Sequence, residues 1–194
     1  MAGDPRPPQE ILEFWFGDRA RSLWFERDAD FDALIRNRFE ATHQAALDGR
    51  LESWEGAAEG CLALVVLLDQ FPRNMYRGSA RAFAADGKAR AVADRAVARG
   101  HDRTLPPDRR WFFYLPFEHS EDLADQRRAV ALFRAHAEAT TGADRERALE
   151  LLDYAQRHLA AIERFGRFPH RNELLGRETS EDEAAYLRDP RSWF

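Results

Sequence analysis

Apolar residues recur three and four positions apart along almost the whole chain, whereas alternation of apolar and polar residues rarely lasts four positions. That period predicts an all-α protein. A first short helix is expected within PQEILEFWFG, ending at Gly17, with Ile11, Leu12, Trp15 and Phe16 on its apolar side. Phe31, Leu34, Ile35, Phe39, Ala46 and Leu47 mark one face of a long second helix that Gly49 caps in the left-handed conformation. Residues 57–70 are apolar on nearly every side, which suits a central helix, and Pro72 is expected to stop it.

Further along, a helix is expected over 86–99 with Gly100 past its end. Pro106 and Pro107 open the stretch DRRWFFYL, which Pro116 interrupts. Ser120 reads as an N-cap, with Glu121 and Asp122 in a first turn where the helix dipole favours negative charge. Leu149, Leu152, Ala155, His158, Leu159, Ile162 and Phe165 draw an apolar stripe over 144–165, and Ser180 with Glu183 forms a capping box for a last short helix. Seven or eight helices joined by short loops imply antiparallel helical hairpins in a single domain, residues 1–194, with 1–8 a flexible N-terminal segment. No 34-residue tetratricopeptide period aligns along the chain.

Composition narrows the function classes. A chain of 194 residues buries roughly 70 % of its unfolded surface, enough for one sizeable core. Its net charge of −5 argues against a surface built for nucleic-acid phosphates. The longest purely apolar run, 61–68, is too short to cross a bilayer, and the N-terminus lacks the apolar core of a secretory signal. With Cys61 alone, no intramolecular disulfide can form, and its apolar neighbours make it a buried small hydrophobe. A cytoplasmic protein with no nucleic-acid or membrane partner is therefore expected.

Three polar clusters stand against apolar neighbours at helix ends. LLDQFPRN carries Asp69, Gln70, Arg73 and Asn74; YLPFEHSED carries Glu118, His119, Glu121 and Asp122; RFGRFPHRNELLGR carries Arg164, Arg167, His170, Arg171 and Asn172. The last string has four arginines against one glutamate, a net +3 inside an acidic chain. Arginine forks and asparagine amides suit carboxylate or phosphate oxygens, and Phe165 and Phe168 can hold a guanidinium flat. The expected arrangement brings the loops of these strings, with His158, to one pocket for a small anionic molecule or an acidic peptide. Arg73, Arg164, Arg167 and Arg171 supply charge, Asn74 and Asn172 orientation, and His119 or His170 a titratable donor.

Were the pocket catalytic, Glu118 or Asp69 with His119 would be the acid-base pair of a hydrolase-type reaction. The contrasting reading is an internal arginine-carboxylate network that joins helix ends in an interaction scaffold. His158 then is a hydrogen-bonded histidine at the core's edge. His43, His101 and His136 lie in polar, exposed-looking contexts. The histidine spacing offers no Glu-x-x-His pair and no His-Glu-x-x-His, so neither a metal nor a cofactor is expected.

The strings EFWFG, LLDQFPRNMYRG, FFYLPFEHSEDLADQ and RFGRFPHRNELLGR, in this order, resemble the bacterial family catalogued as domain of unknown function 924. The likeness spans residues 11–187. It implies an all-α, tetratricopeptide-like fold and carries no named activity. Residues matching the family's strings are Asp69, Gln70, Arg73, Asn74, Glu118, His119, Ser120, Glu121, Asp122, His158, Arg164, Arg167, His170, Arg171 and Asn172, while Met75 and Phe117 stand where aliphatic residues would be expected.

Overall fold

Proline and glycine set many of the element boundaries. In the computed structural model, which describes residues 4–192, α1 (Pro8–Trp15) begins on a proline, whose missing N–H has no intrahelical partner in a first turn. Residues 1–3 of the expected flexible segment lie outside the described residues; in the rest of it, the Arg6 N–H donates to Thr42 Oγ1 at 2.8 Å. Phe16 rather than Gly17 caps α1, and Gly17 starts the single turn α2 (Asp18–Arg21). The long helix α3 (Ala29–Leu47) starts on Asp28, whose carboxylate accepts from Phe31 N–H, and Gly49 follows it at φ +77°.

Pro72 does not end the central helix. After α4 (Ala58–Val65), residues Val66–Gln70 widen into a π-turn in which Phe71 N–H reaches back five residues to the Val66 carbonyl. The extra residue puts Pro72 in the first turn of a new helix, α5 (Phe71–Met75), where a proline is tolerated. Helix α6 (Asp86–Ala98) matches its expected span, and the turns α7 (His101–Thr104) and α8 (Pro107–Arg110) follow Gly100. The stretch expected to form one interrupted helix around Pro116 splits into α8, a 3-10 turn at Trp111–Phe113 and α9 (Leu115–Glu118).

Asp122, not Ser120, caps the next helix, α10 (Leu123–Ala139), by accepting from Ala124 and Asp125 N–H. Helix α11 (Asp144–Phe165) comes after a four-residue connection, and α12 (Glu181–Leu187) opens on the expected capping box. No strand occurs among the described residues, and none of their helices is long and apolar enough to cross a membrane.

The chain groups into two compact units, one ending at Pro116 and the other starting at Phe117. In the first, α4 packs against α1 and α6 while α3 packs against α5. Trp15, Phe31, Phe39, Phe71 and Phe112 are fully buried there. Each such ring contributes about 1.5–3 kcal/mol. In the second, α10 and α11 pair extensively, and Ala161, Ile162 and Phe168 form a small core that Leu123 and Tyr186 cover. Leu149, expected on the buried stripe of α11, is exposed, because the packed face runs through Ala148, Leu151, Ala155 and His158 instead.

Gly60 lets α4 approach the preceding loop closely: a Cβ there would collide with the Trp54 carbonyl. Gly60→Ala is expected to cost about 1–3 kcal/mol and to lower the melting midpoint by several degrees. Gly87→Ala, whose Cβ would meet nothing within 4 Å, is expected to leave it level or raise it. Calorimetry of the two variants checks the contrast.

Candidate functional site

In the first unit the π-turn carries Asp69 and Gln70 into the interior. Asp69 is fully buried, accepting from Gln70 Nε2 at 2.5 Å and facing Arg73 Nη1 at 3.3 Å. Arg73 also donates to the Asp69 carbonyl and grips Asp86 with both Nη atoms at 3.1 Å. Asn74 donates to Asp32 Oδ1 at 2.8 Å, and Arg77 forks onto the same carboxylate at 2.7 and 3.0 Å. All four predicted residues of LLDQFPRN thus have partners within the unit, and each arginine meets a carboxylate.

The second unit gathers more of the predicted site. Gly166, at φ +66°, ends α11 in the left-handed region open to glycine, and the chain turns there into RFPHRN. Phe168 lies at the centre of the resulting cluster. Its N–H donates to Glu121 Oε1 at 2.8 Å, and its carbonyl accepts from Arg177 Nη2 at 3.1 Å. Glu121 and Arg177 meet each other in a bidentate pair at 2.7 and 3.0 Å, so one ion pair satisfies both polar groups of a buried residue.

Three side chains surround the Phe168 ring. His158 meets it edge-on at 5.5 Å, His170 stacks at 5.6 Å, and the Arg171 guanidinium lies 4.6 Å from its centroid. His119 sits 6.3 Å from His158, ring to ring. Glu118 is buried with Oε1 3.6 Å from His158 Nδ1, and Arg171 is 6 % exposed. Gln126, fully buried, donates from Nε2 to the carbonyls of Glu118 and Ser120 and so holds the end of α9 in place.

Electrostatics separate the histidines. Burial pushes His158 well below the ordinary histidine range; His119, Arg171 and His170 repel its charged form further, against the Tyr154 carbonyl. Its Nδ1 lies 2.9 Å from that carbonyl, which can only accept, so Nδ1 carries the proton and Nε2 keeps a lone pair. Burial raises the Glu121 carboxyl, but hydrogen bonds from Arg177 and Phe168 N–H outweigh it and hold the group below its usual range. The Ser120 hydroxyl donates a hydrogen bond to Asp125 Oδ2 at 2.7 Å and accepts one from Asp122 N–H at 3.2 Å.

Not every predicted residue joins this cluster. Asp122 is an exposed cap, and Arg164 is exposed over Phe165. Arg167 forks onto Glu183 at 2.7 and 2.9 Å, which holds that carboxyl down to about 2, and Asn172 reaches Thr179 at 3.3 Å. Both secure the segment leading into α12. His43 and His136, expected in exposed contexts, are buried; His43 Nδ1 is bonded to the Leu67 carbonyl at 2.8 Å. The sequence pattern did not single out Gln126, although a glutamine three, four and seven residues before buried Ala129, Val130 and Phe133 is a visible break in an apolar stripe. Nor did it reveal a hollow of about 490 Å³ in the first unit, where Tyr76 donates to Glu40 at 2.9 Å and Arg81 lies over the tyrosine ring. Among the described residues no group of three or more His, Cys, Asp or Glu could hold a metal ion.

These features define an all-α protein with a histidine-rich polar cluster built on a clamped phenylalanine. The chain belongs to the family described as bacterial protein of unknown function (DUF924), whose model matches residues 11–191. It is similar to a solved protein of unknown function from Agrobacterium tumefaciens, with 44 % identity and a TM-score of 0.84 over 94 % of this chain and 97 % of that one. No curated protein matches it.

The clamp and the buried imidazole each lead to a measurable outcome. Glu121→Gln leaves Arg177 without its counter-charge and is expected to cost about 1–3 kcal/mol, read as a lower urea midpoint at unchanged m-value. His158 stays neutral when folded but takes up a proton near 6.5 when unfolded, so its contribution is present above that pH and is lost as pH falls below it. The drop in melting midpoint between pH 7.5 and 5.5 should be shallower in His158→Gln, with the remainder owed partly to His43, which burial also lowers.

Proposed function

We propose that the second unit binds a small anionic molecule, a carboxylate or phosphate, at the cluster around Phe168. Arg171 supplies the bidentate positive group, and His119 and His170 supply neutral or protonated donors. The observation that carries this reading is the crowding of two histidines and a 6 %-exposed arginine around one ring, with a third histidine, His119, beside His158. Cations repel one another when drawn out of water, and an anion relieves that repulsion. Glu118 offsets part of the charge and sets the orientation of an asymmetric ligand. In the first unit, Arg73 already faces two carboxylates, which favours a scaffolding role for FPRN.

A catalytic use of the same site rests on a different observation. His158, neutral and with an unprotonated Nε2, beside buried Glu118 has the make-up of a general base and its carboxyl partner. His119 completes that set.

A thermal-shift panel of acetate, citrate, inorganic phosphate and sulfate at matched ionic strength tests the reading. At a hundred times its Kd a bound anion stabilises by about 2.7 kcal/mol, a rise of roughly 5–10 °C for a chain this long. Arg171→Gln should abolish the rise while its circular dichroism stays helical. The reading fails if no anion shifts the wild type, or if the shift survives in Arg171→Gln. A lower midpoint in Arg171→Gln with no anion effect in either protein assigns the cluster to the scaffold.

A further inference from the structure

The first unit holds a hollow of about 300 Å³ bounded by α1, α2 and α3, with Phe14, Phe31 and Leu34 as its apolar wall and Asp18, Arg19 and Arg38 at its edge. Phe14 and Leu34 are only half-buried, although Phe14 is stacked on Phe31 at 5.7 Å and meets Phe39 edge-on at 5.0 Å. Two partly open apolar side chains side by side on a packed aromatic base form a fixed surface that water wets poorly. The space, about 300 Å³, admits a molecule of leucine or phenylalanine size.

The edge charges are of both signs. Arg38 is committed: it donates to Glu10 from Nε and Nη2 at 2.9 and 2.7 Å and lies over the Phe14 ring. Asp18 and Arg19 differ, since among the described residues neither side chain has a hydrogen bond or ion pair. A hydrocarbon would ignore both charges. A simple carboxylate would meet Arg19 but be repelled by Asp18, and a simple amine the reverse. Only a ligand bearing an ammonium and a carboxylate on neighbouring atoms, attached to an apolar body, complements the hollow throughout.

We propose that this hollow binds a free α-amino acid with an apolar side chain, the side chain lying on Phe14, Phe31 and Leu34, the carboxylate at Arg19 and the ammonium at Asp18. Both edge groups are exposed to solvent, so they select among ligands while the apolar wall provides most of the affinity.

Titration calorimetry with L-phenylalanine, phenylacetate and phenethylamine tests the assignment on the full chain. The wild type should bind L-phenylalanine saturably and the two half-ligands about threefold or more weaker. Arg19→Ala should weaken L-phenylalanine and phenylacetate but spare phenethylamine, and Asp18→Asn should weaken L-phenylalanine and phenethylamine but spare phenylacetate. Leu34→Trp fills the space and should abolish the binding of phenethylamine and L-phenylalanine, its folding verified by circular dichroism. Phenethylamine carries no anionic group for Arg171, so its loss in Leu34→Trp separates this hollow from the histidine cluster. Absence of saturable L-phenylalanine binding, or phenethylamine binding that persists in Leu34→Trp, overturns the proposal.

Discussion

A fold made of short helices has many ends, and every buried end leaves backbone and side-chain polar groups that must find partners away from water. In this protein arginine forks on carboxylates meet that constraint repeatedly. Arg73 grips Asp86 beside buried Asp69, Arg77 with Asn74 grips Asp32, Arg177 grips Glu121, and Arg167 grips Glu183. Lys88 is the only lysine in the chain, and the geometry explains why arginine suits the task. A planar fork can serve both oxygens of a carboxylate and still reach a carbonyl, as Arg177 does at Phe168.

The two polar strings ending in Asn share a vocabulary but differ in balance. Within the first unit, Arg73 faces two carboxylates, and each contact ties one helix end to another. Within the second, the carboxylate of Glu121 is used on the Phe168 backbone and Arg177, while the histidines and Arg171 gather on the other side of the same residue. Stability and candidate function are therefore separated by one side chain. The clamp fixes the backbone of Phe168, and the ring so fixed orders His158, His170 and Arg171.

Much of the fold is legible in the chain because period and punctuation are local properties. The spans of α3, α6 and α11, the left-handed glycines after them, and the capping box of α12 all arise from residues a few positions apart. Two local rules mislead. Pro72 has the pattern of a stop, yet the π-turn before it moves the proline into a first turn. Ser120 has the pattern of a cap, yet Asp122 lies two residues closer to the helix and takes the role, leaving Ser120 to Asp125.

From sequence alone come the all-α class, the family, and the strings in which polar residues collect against apolar ones. Composition also shows that the positive charge there is almost wholly arginine. Tertiary structure decides which of those residues are partners. Arg164 and Arg171 are seven positions apart in one basic string, yet one lies on the surface and the other is buried against a ring, because Gly166 turns the chain between them. Burial likewise makes His158 a neutral group and draws His43 inside. Desolvation and pairing depend on what the rest of the chain brings within a few ångströms, and no local pattern encodes that distance.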